Sequence, residues 1–276
     1  QTIYKNTDSI TYIILIFHYL NSINCFKHNL LYSLNYTSVI QIIMYKKQKI
    51  TLYFPCRNES AHLKEVLSKV PKFVDEIIVV SNKSTDDTYE KAKKLGIKAY
   101  KDDRVLGKIG YGFANITGIN KATGDIIISS DGDGTYPIEK LDKILNYFIK
   151  NDFDFISCNR YPVKKGVVIP LKLQFGIHIL NLETRILYGI KIKDILSGMW
   201  VIKKNIRNEL NLTAGDWNLS PQIKINAFTN NKIKSGEFHI IQHLRYGKTK
   251  QNYFKTGFSH MKWILKNRFN STHKSN

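Results

Sequence analysis

The sequence of 276 residues contains little cysteine, little proline and no long apolar run. Its three cysteines, Cys25, Cys56 and Cys158, are widely spaced and form no C-x-x-C pair. A disulfide scaffold and a structural zinc site are therefore not expected, and a reducing compartment is the default. The longest apolar run near the N-terminus, residues 13–17, is too short to cross a bilayer, which takes about 20 residues.

Acidic residues are also scarce, because 22 Asp and Glu stand against 42 Lys and Arg and leave a formal net charge of +20. Such an excess favours anionic partners, namely nucleic acid, anionic lipid or phosphate-bearing substrates. No nucleic-acid-binding motif and no basic stripe with stacking aromatics occurs outside the C-terminal tail, so nucleic acid is not expected as a partner. The hydrophobic share of 43% excludes disorder, collagen and coiled coil as the main class.

The chain divides into three parts by composition. Residues 1–47 have few charges and begin with Gln1, and residues 44–49 lead into the first strand pattern as a natural start would. We interpret residues 1–47 as an N-terminal extension outside the working domain, with a membrane-associated hairpin as the alternative. Residues 48–252 are expected to form one α/β domain, and residues 253–276 a basic amphipathic tail.

From residue 50 onward, short apolar strands alternate with amphipathic helices. The predicted strands cover residues 50–54, 76–81, 97–100, 125–130 and 153–158. Continuous apolar strands of this kind predict a mostly parallel sheet covered by helices on both faces. Asn58 is predicted to cap the first helix. Since ligands bind beyond the carboxyl ends of such strands, the polar loops 57–59, 82–87 and 131–135 are expected to meet at one edge.

The tripeptide Asp131-Gly132-Asp133 directly follows the fourth predicted strand. Two carboxylates on either side of a glycine can hold one hard divalent cation, which takes further oxygens from a diphosphate. A solvated turn is the alternative for so short a pattern. The position after a buried strand, with Gly134 and Pro137 following, favours the metal site.

Further motifs follow one another in a fixed order along residues 48–252. They are Pro55-Cys56-Arg57-Asn58-Glu59, the segment 81–88, Gly107-Lys108, Gly124-Asp125, Asn159-Arg160-Tyr161, the segment 194–200 and the segment 245–250. Together with Asp131-Gly132-Asp133, this order resembles the inverting family-two glycosyltransferases, which have a GT-A nucleotide-sugar-binding fold. Ser197-Gly198-Met199 and the pattern R-x-G-x-T-K at residues 245–250 are similar to those of the dolichol-phosphate mannosyltransferases and related polyprenyl-phosphate transferases.

The resemblance implies a role for each matched residue. Those implied to bind the nucleotide are Pro55, Arg57, Glu59, Ser81, Asp86, Lys108, Asp131 and Gly132. Those implied to act in catalysis are Asp131, Asp133 and Arg160, and the two aspartates would hold Mg²⁺ or Mn²⁺. Arg160 and Ser197 would face the acceptor phosphate, and Arg245 and Lys250 would close over the donor diphosphate. Ser81 and Asn82 stand where the family usually has acidic residues, which leaves the base of the donor open.

The activity implied by the resemblance is inverting transfer of a sugar from a nucleotide sugar to a polyprenyl phosphate, at the cytoplasmic face of a membrane. A phosphate acceptor is already ionised near pH 7, whereas a hydroxyl acceptor usually needs a carboxylate base. Gln222 lies roughly where many relatives carry a glutamate, and an amide cannot act as a base. Two alternatives stay open: a hydroxyl acceptor of a glycan or lipid, with Asp216 as base, and a degenerate transferase fold that only binds.

Two segments predict contact with an anionic membrane surface. Residues 167–190 are rich in Ile and Leu but carry charges, so they are expected to form an amphipathic helix near the acceptor. In the C-terminal tail, apolar residues recur at near-helical spacing between basic residues: Phe254, Phe258, Met261, Leu265 and Phe269. A basic helix with aromatic anchors is typical of binding to an anionic membrane, and a core-packing final helix is the alternative.

His239 and His243 lie in a strand-like run, residues 238–244, and could point to one face. A zinc site would need a third ligand at suitable spacing, and the run offers none. We therefore expect both histidines to be ordinary strand residues.

Overall fold

The computed structural model describes residues 48–163, 169–247, 249 and 251–272. The predicted N-terminal extension, residues 1–47, lies outside the described residues. Within the described ranges, no helix is both long enough and apolar enough to cross a membrane.

Among the described residues, seven strands form one sheet: β1 Ile50–Cys56, β2 Glu76–Ser81, β3 Lys98–Lys101, β4 Ile126–Ser129, β5 Phe155–Asn159, β6 Trp200–Lys203 and β7 Ser235–His239. Their order across the sheet is β3-β2-β1-β4-β6-β5-β7. β6 runs antiparallel to both of its neighbours, and the other pairs are parallel. The predicted mostly parallel sheet is confirmed, and the five predicted strands match β1 to β5 to within two residues at each end.

Two strands differ from the sequence-based expectation. β6 has no counterpart among the predicted strands, because it begins at Trp200, the last residue of the motif at residues 194–200, and only Val201 and Ile202 extend its apolar run. β7 ends at His239, so the predicted strand-like run is wrong for residues 240–244. His243 lies outside the strand, and its backbone N–H donates to the carbonyl oxygen of Thr135 at 2.8 Å.

The α-helices of the described part are α1 Ser60–Ser68, α2 Thr88–Lys94, α3 Tyr111–Lys121, α4 Leu141–Lys150, α5 Leu171–Tyr188, α6 Leu219–Thr229 and α7 Tyr253–Thr272. The amphipathic helix predicted within residues 167–190 is α5. The predicted C-terminal tail is mostly α7, which packs against α5. Ile264 of α7 is buried in an apolar cluster with Leu180 and Ile195, so α7 contributes to the core.

The central strands are covered on both sides, since every residue of β1, β4 and β5 is buried. One apolar cluster joins the strand residues Tyr53, Ile127 and Trp200 to α3 and α6 through Ile119 and Ile223. The buried indole of Trp200 donates its N–H to the hydroxyl of Tyr53 at 3.1 Å, which satisfies the polar atom inside this cluster. Apolar packing therefore fixes the strands and leaves their carboxyl ends to polar loops.

Asn58 does not cap the first helix, because α1 begins at Ser60 with Glu59 as its N-cap residue. Asn58 has a φ of 54°, in the left-handed region that asparagine tolerates better than most residues. Its side-chain Oδ1 accepts a hydrogen bond from the backbone N–H of Thr85 at 2.7 Å. Asn58 thus links the loops that follow β1 and β2 instead of starting the helix.

The carboxylate of Glu76 joins four elements at the opposite end of the sheet. Glu76 is buried, and it accepts hydrogen bonds from the Thr51 hydroxyl at 2.6 Å, the Thr123 backbone N–H at 2.8 Å and the Lys98 ammonium at 2.6 Å. Burial alone would raise the pKa of Glu76, but these hydrogen bonds lower it from 4.5 to about 2. The ionised carboxylate therefore stabilises the starts of β1, β2 and β3 and the chain leading into β4.

We expect Glu76→Gln to lower the free energy of unfolding by about 3 kcal/mol at pH 7, since 2.5 pKa units correspond to about 3.4 kcal/mol. The folded pKa is depressed, so this stabilisation is present above about pH 4.5 and is lost as the pH falls towards 2. Urea unfolding at pH 7 and pH 3 should therefore show a smaller difference between variant and parent at pH 3. Glu90→Gln is the control, because Glu90 forms only an exposed ion pair with Lys101. An equal loss at both pH values would contradict the argument.

Candidate active site

The carboxyl ends of β1, β2 and β4 open into a cavity of about 720 Å³. The predicted meeting of three polar loops at one edge is confirmed, because each of the three loops contributes to its wall. Of the residues to which the resemblance assigns a nucleotide, catalytic, diphosphate or acceptor role, those that line the cavity are Pro55, Arg57, Glu59, Lys108, Asp131, Gly132, Asp133, Arg160 and Arg245. Those described but not in the wall are Ser81, Asp86 and Ser197, and Lys250 lies outside the described residues.

Asp86 and Ser81 support the loop after β2 from behind. The carboxylate of Asp86 accepts hydrogen bonds from the backbone N–H groups of Ser60 and Thr88, both at 3.1 Å, so it satisfies donors at the starts of α1 and α2. Burial would raise the pKa of Asp86, and the hydrogen bonds from Thr88 and Ser60 outweigh it and lower the pKa. The hydroxyl of Ser81 donates to that of Ser84 at 2.9 Å. Both residues shape the pocket without forming its surface.

Asn82 lines the cavity, whereas Ser81 does not. It is only 3% exposed, and its amide N–H₂ donates to the carbonyl oxygens of Asp102 at 2.6 Å and Arg104 at 3.0 Å. These two acceptors fix the orientation of the amide and leave Oδ1 buried without a hydrogen-bond partner among the described residues. A side chain at Gly110 would collide with this oxygen, because a Cβ there would lie 2.1 Å from it. The oxygen is therefore an unused acceptor behind a glycine.

Asp133 is held by its own loop and by a cation. Its Oδ1 accepts hydrogen bonds from the backbone N–H of Thr135 at 3.0 Å and from the Thr135 hydroxyl at 2.6 Å. Its Oδ2 forms a salt bridge with the guanidinium of Arg245. Asp133 is buried, and these contacts compensate its negative charge.

Asp131 is poorly compensated by comparison. Burial and, after it, the charge of Asp133 raise its pKa, while Arg245 and Arg160 only partly oppose these effects, so that the pKa is about 7. Its nearest described donor is the hydroxyl of Tyr111, at 3.4 Å from Oδ1. The two carboxylates thus form a site that is short of positive charge on the side of Asp131.

The two carboxylates fit a divalent cation that also binds phosphate oxygens. Among the described residues, no group of three or more His, Cys, Asp or Glu is close enough to hold a metal by itself. Mg²⁺ is commonly held by one or two carboxylates plus substrate phosphates, which matches a pair of carboxylates in an open cavity. The raised pKa of Asp131 marks a charge that such a cation would neutralise. Asp131 and Asp133 are therefore the residues that would hold it.

Neither histidine of the predicted strand-like run is part of a described metal cluster. The ring Nε2 of His239 lies 2.9 Å from the carbonyl oxygen of Pro162. The ring Nε2 of His243 lies 2.8 Å from Oε1 of Glu139. Both rings have protein partners that account for their positions.

Tyr246 anchors the segment that carries Arg245. Its backbone N–H donates to the carbonyl oxygen of Asp133 at 2.8 Å, and its ring stacks on His62 with centroids 5.1 Å apart. The ring also occupies the space beside Gly134, which has a φ of 75° and no side chain. Tyr246 occupies an unspecified position of the R-x-G-x-T-K pattern, so only its aromatic character distinguished it in the sequence. It fixes the backbone that directs Arg245 to Asp133.

Arg160 is a positioned cation at the other side of the cavity. Its Nε donates to Oδ2 of Asp194 at 2.6 Å, and its Nη2 donates to Oδ1 at 2.9 Å. Burial would lower the pKa of Arg160, but the Asp194 carboxylate outweighs burial and raises it. Arg160 likewise lowers the pKa of Asp194 against the effect of burial. The bidentate pair keeps both groups ionised and orients the guanidinium.

The segment Asp194–Met199, which we call the acceptor loop because the resemblance implies that Ser197 faces the acceptor, brings its backbone close to Asp131. Ser197 is fully buried behind the loop, whereas Leu196 and Gly198 line the cavity. The backbone N–H of Gly198 donates to the hydroxyl of Tyr136 at 2.6 Å. A Cβ at Gly198 would lie 3.2 Å from both carboxylate oxygens of Asp131, so glycine permits the close approach.

The segment that would hold a base under the hydroxyl-acceptor alternative, residues 216–222, has its polar side chains bound within the protein. Gln222 is buried, and its Oε1 accepts hydrogen bonds from the backbone N–H groups of Thr213 and Ala214. Asp216 accepts two hydrogen bonds from Asn218, both at 2.9 Å. Neither Asp216 nor Gln222 is part of the described wall.

The chain is similar to the low-salt glycan biosynthesis hexosyltransferase of Haloferax volcanii, with 26% identity over 225 residues, 79% of the chain and 53% of the relative. It is also similar to the dolichol-phosphate mannosyltransferase of Pyrococcus furiosus, with 34% identity over 125 residues, 44% of the chain and 35% of the relative. The chain thus spans about half or less of the length of these two relatives.

The fold is similar to crystal structures of glucosyl-3-phosphoglycerate synthase from Mycobacterium tuberculosis. The complex with Mn²⁺, uridine diphosphate and glucosyl-3-phosphoglycerate gives a TM-score of 0.60 at 16% identity and covers 80% of each chain. The complex with Mn²⁺, UDP-glucose and glycerol 3-phosphate gives a TM-score of 0.58 at 17% identity, again over 80% of each chain. This likeness confirms the expected GT-A architecture.

Residues 51–210 match the model of the family described as Glycosyl transferase family 2. The match covers more than half of the chain and includes the loops after β1, β2 and β4 that form the cavity. The chain therefore belongs to glycosyltransferase family 2.

Proposed function

We propose that this glycosyltransferase moves a sugar, with inversion, from a nucleotide sugar to a polyprenyl phosphate at an anionic membrane surface. The observation that carries the proposal is that one cavity contains a poorly compensated carboxylate, Asp131, and a fixed guanidinium, Arg160. Uncompensated carboxylate charge at Asp131 suits a donor diphosphate bound with a divalent cation. The fixed cation Arg160 suits an acceptor phosphate. The similarity to a dolichol-phosphate mannosyltransferase supports the same acceptor class.

The donor base is expected to contact Asn82. Its amide N–H₂ is used by two backbone carbonyls, so Oδ1 can only accept a hydrogen bond from a ligand. Uracil and guanine offer this oxygen a ring N–H, and cytosine and adenine offer it the N–H of an exocyclic amino group. Arg57 supports the facing loop, because its guanidinium donates to the carbonyl oxygen of Lys108 at 2.6 Å. The arrangement therefore calls for a donor base that presents an N–H to Asn82.

The reaction needs a stabilised leaving group. A bound divalent cation, held by Asp131 and Asp133, would supply charge neutralisation for the departing nucleoside diphosphate. Arg245 lies beside Asp133 and can contribute a second cation on the donor side. The bond from the anomeric carbon to the diphosphate oxygen breaks as the acceptor oxygen attacks from the opposite face.

The acceptor side lacks a described carboxylate base in the expected segment, since neither Asp216 nor Gln222 lines the cavity. An ionised phosphate oxygen is itself the nucleophile and has little need of such a base. Arg160 would hold that phosphate against the developing repulsion from the donor diphosphate. The pair with Asp194 keeps the guanidinium oriented before the acceptor arrives.

The proposal predicts labelled lipid product when the full chain is incubated with UDP- or GDP-sugars, Mg²⁺ or Mn²⁺ and a short polyprenyl phosphate such as farnesyl phosphate. Asp131→Asn should lower the transfer rate about 100-fold or more, because it removes the charge that would hold the cation. Asp103→Asn is the matched control, since Asp103 is exposed and lies outside the cavity wall. Transfer that survives Asp131→Asn would overturn the site, and binding of donors without turnover would support the degenerate alternative.

The alternative acceptor is a hydroxyl group of a glycan or lipid. It is favoured by one observation: Asp216 precedes Trp217, which lines the cavity, so a modest local movement could bring its carboxylate to an acceptor. Under our proposal, Asp216→Asn should keep transfer to farnesyl phosphate within about threefold of the parent rate, because no deprotonation is needed. Loss of nearly all activity in Asp216→Asn, in an assay of lipid product, would favour the hydroxyl acceptor.

The surfaces of α5 and α7 support contact with a membrane. Exposed large apolar side chains on these neighbouring helices are Leu171, Phe175, Ile179, Leu182, Ile186, Phe254, Phe258, Met261, Leu265 and Phe269. Exposed lysines interleave with them on α7, at Lys255, Lys262 and Lys266. Apolar residues among basic ones are typical of helices that bind an anionic membrane surface. We call this surface the α5–α7 surface.

We expect Phe254→Ser combined with Phe258→Ser to weaken binding to anionic vesicles about tenfold or more, since two exposed aromatic side chains would no longer enter the lipid. The measurement is vesicle flotation with phosphatidylglycerol and with phosphatidylcholine alone. Point substitutions are preferable to deletion of α7, because Ile264 belongs to the core. Leu95→Ser, at an exposed apolar residue after α2, is the control. Equal flotation of the double variant and the parent would contradict the membrane role.

A further inference from the structure

Helix α6 carries a lysine that is completely buried. The ammonium of Lys224 has no solvent exposure, and it donates to the carbonyl oxygens of Ile195 at 2.9 Å, Ser197 at 2.5 Å and Ser220 at 3.4 Å. It also lies 5.8 Å from the centroid of the Trp200 ring. Burying a charged amine is costly unless its donors are used, so this site uses them on backbone oxygens.

Two of the three acceptors belong to the acceptor loop. Ile195 and Ser197 alternate in this loop with Asp194, Leu196 and Gly198. Asp194 holds Arg160, while Leu196 and Gly198 line the cavity. The ammonium of Lys224 therefore binds the buried side of the acceptor loop. The opposite side of this loop forms the acceptor end of the cavity. Lys224 is not part of the cavity wall itself.

The protein environment lowers the pKa of Lys224, but the side chain carries N–H donors in both of its protonation states. Burial above all, together with the nearby guanidinium of Arg160, lowers the pKa of Lys224, which is about 7. Asp194, Glu237 and Cys158 act in the opposite direction. His260 of α7 also faces this region, and Lys224 contributes to lowering its pKa. Either as ammonium or as amine, the group keeps N–H donors for the two loop carbonyls.

We propose that Lys224 is a positioning residue for the acceptor: it holds the acceptor loop so that Asp194 and Arg160 present the guanidinium to the acceptor phosphate. The inference rests on the proposed phosphate acceptor. Lys224 acts through the loop and does not touch the donor side, whose residues come from the loops after β1, β2 and β4. Its loss should therefore weaken acceptor binding selectively.

The test is Lys224→Met, which has a similar length but no donor. We expect the Kd for farnesyl phosphate, measured by calorimetry, and its KM in transfer to rise about tenfold, because two buried loop carbonyls lose their donor. The KM for the nucleotide sugar should rise less than that for farnesyl phosphate, since the donor loops keep their own contacts and only Gly198 of the described acceptor loop approaches Asp131. Lys224→Gln is expected to recover part of the acceptor affinity, since its shorter amide retains two N–H donors.

Ile223→Ala is the control on the same helix. Ile223 is buried in the cluster with Tyr53 and Trp200, so its truncation lowers stability without removing a donor from the acceptor loop. Urea unfolding gives the loss of stability of each variant. The proposal is overturned if Ile223→Ala raises the acceptor Kd as much as Lys224→Met, or if Lys224→Met leaves it unchanged. Should Lys224→Met fail to fold, Lys224→Gln decides: an unchanged acceptor Kd overturns the proposal, and a selective rise supports it.

The failure of the proposed function gives a different result. If the parent chain neither binds farnesyl phosphate nor transfers sugar to it, the acceptor class is wrong. If the parent does both and Lys224→Met behaves like it, only the positioning role is wrong.

Discussion

Two carboxylates lie close together in one partly enclosed cavity, and the arrangement of the surrounding cations follows from their repulsion. Asp133 is bound by its own loop and by Arg245, whereas burial and then the charge of Asp133 raise the pKa of Asp131 to about 7. Arg160 stands apart from this pair with a carboxylate partner of its own, Asp194. One end of the cavity thus needs positive charge, and the other end supplies it. This difference suits a donor that binds with a cation and an acceptor that binds by its own negative charge.

The sheet and much of its functional edge could be predicted from the sequence because both depend on local patterns. Strands buried on both faces appear as continuous apolar runs, and the Asp131-Gly132-Asp133 tripeptide directly follows one of them. β6 could not be predicted in this way, since its four residues are defined by antiparallel pairing with β4 and β5. The capping role expected for Asn58 failed for a similar reason: a partner 27 positions away, Thr85, competes for its side chain.

Within the site, the residues whose position the sequence could not reveal are mostly those that contact the backbone of other loops. Asn82 looked like a departure from an acidic pattern, but its orientation is set by backbone carbonyls 20 and 22 positions further along the chain. Ser197 belongs to a motif, yet its side chain is buried while its neighbours face the cavity. Tyr246 and Lys224 are ordinary residues in sequence. Their functions depend on contacts with distant backbone, which no short pattern contains.

The antiparallel strand β6 has a consequence for how the acceptor loop can vary. The downstream end of the acceptor loop is fixed by Trp200, which is buried against Tyr53. The upstream end of the loop is fixed by Asp194, which is bound to Arg160. Side chains alternate faces along a strand, so a shift of one residue would turn Trp200 out of the core. The acceptor loop therefore has a fixed length between two anchored residues, Asp194 and Trp200. Changes of acceptor preference in such a protein would arise from replacement of its residues, whereas insertions or deletions there would cost the fold.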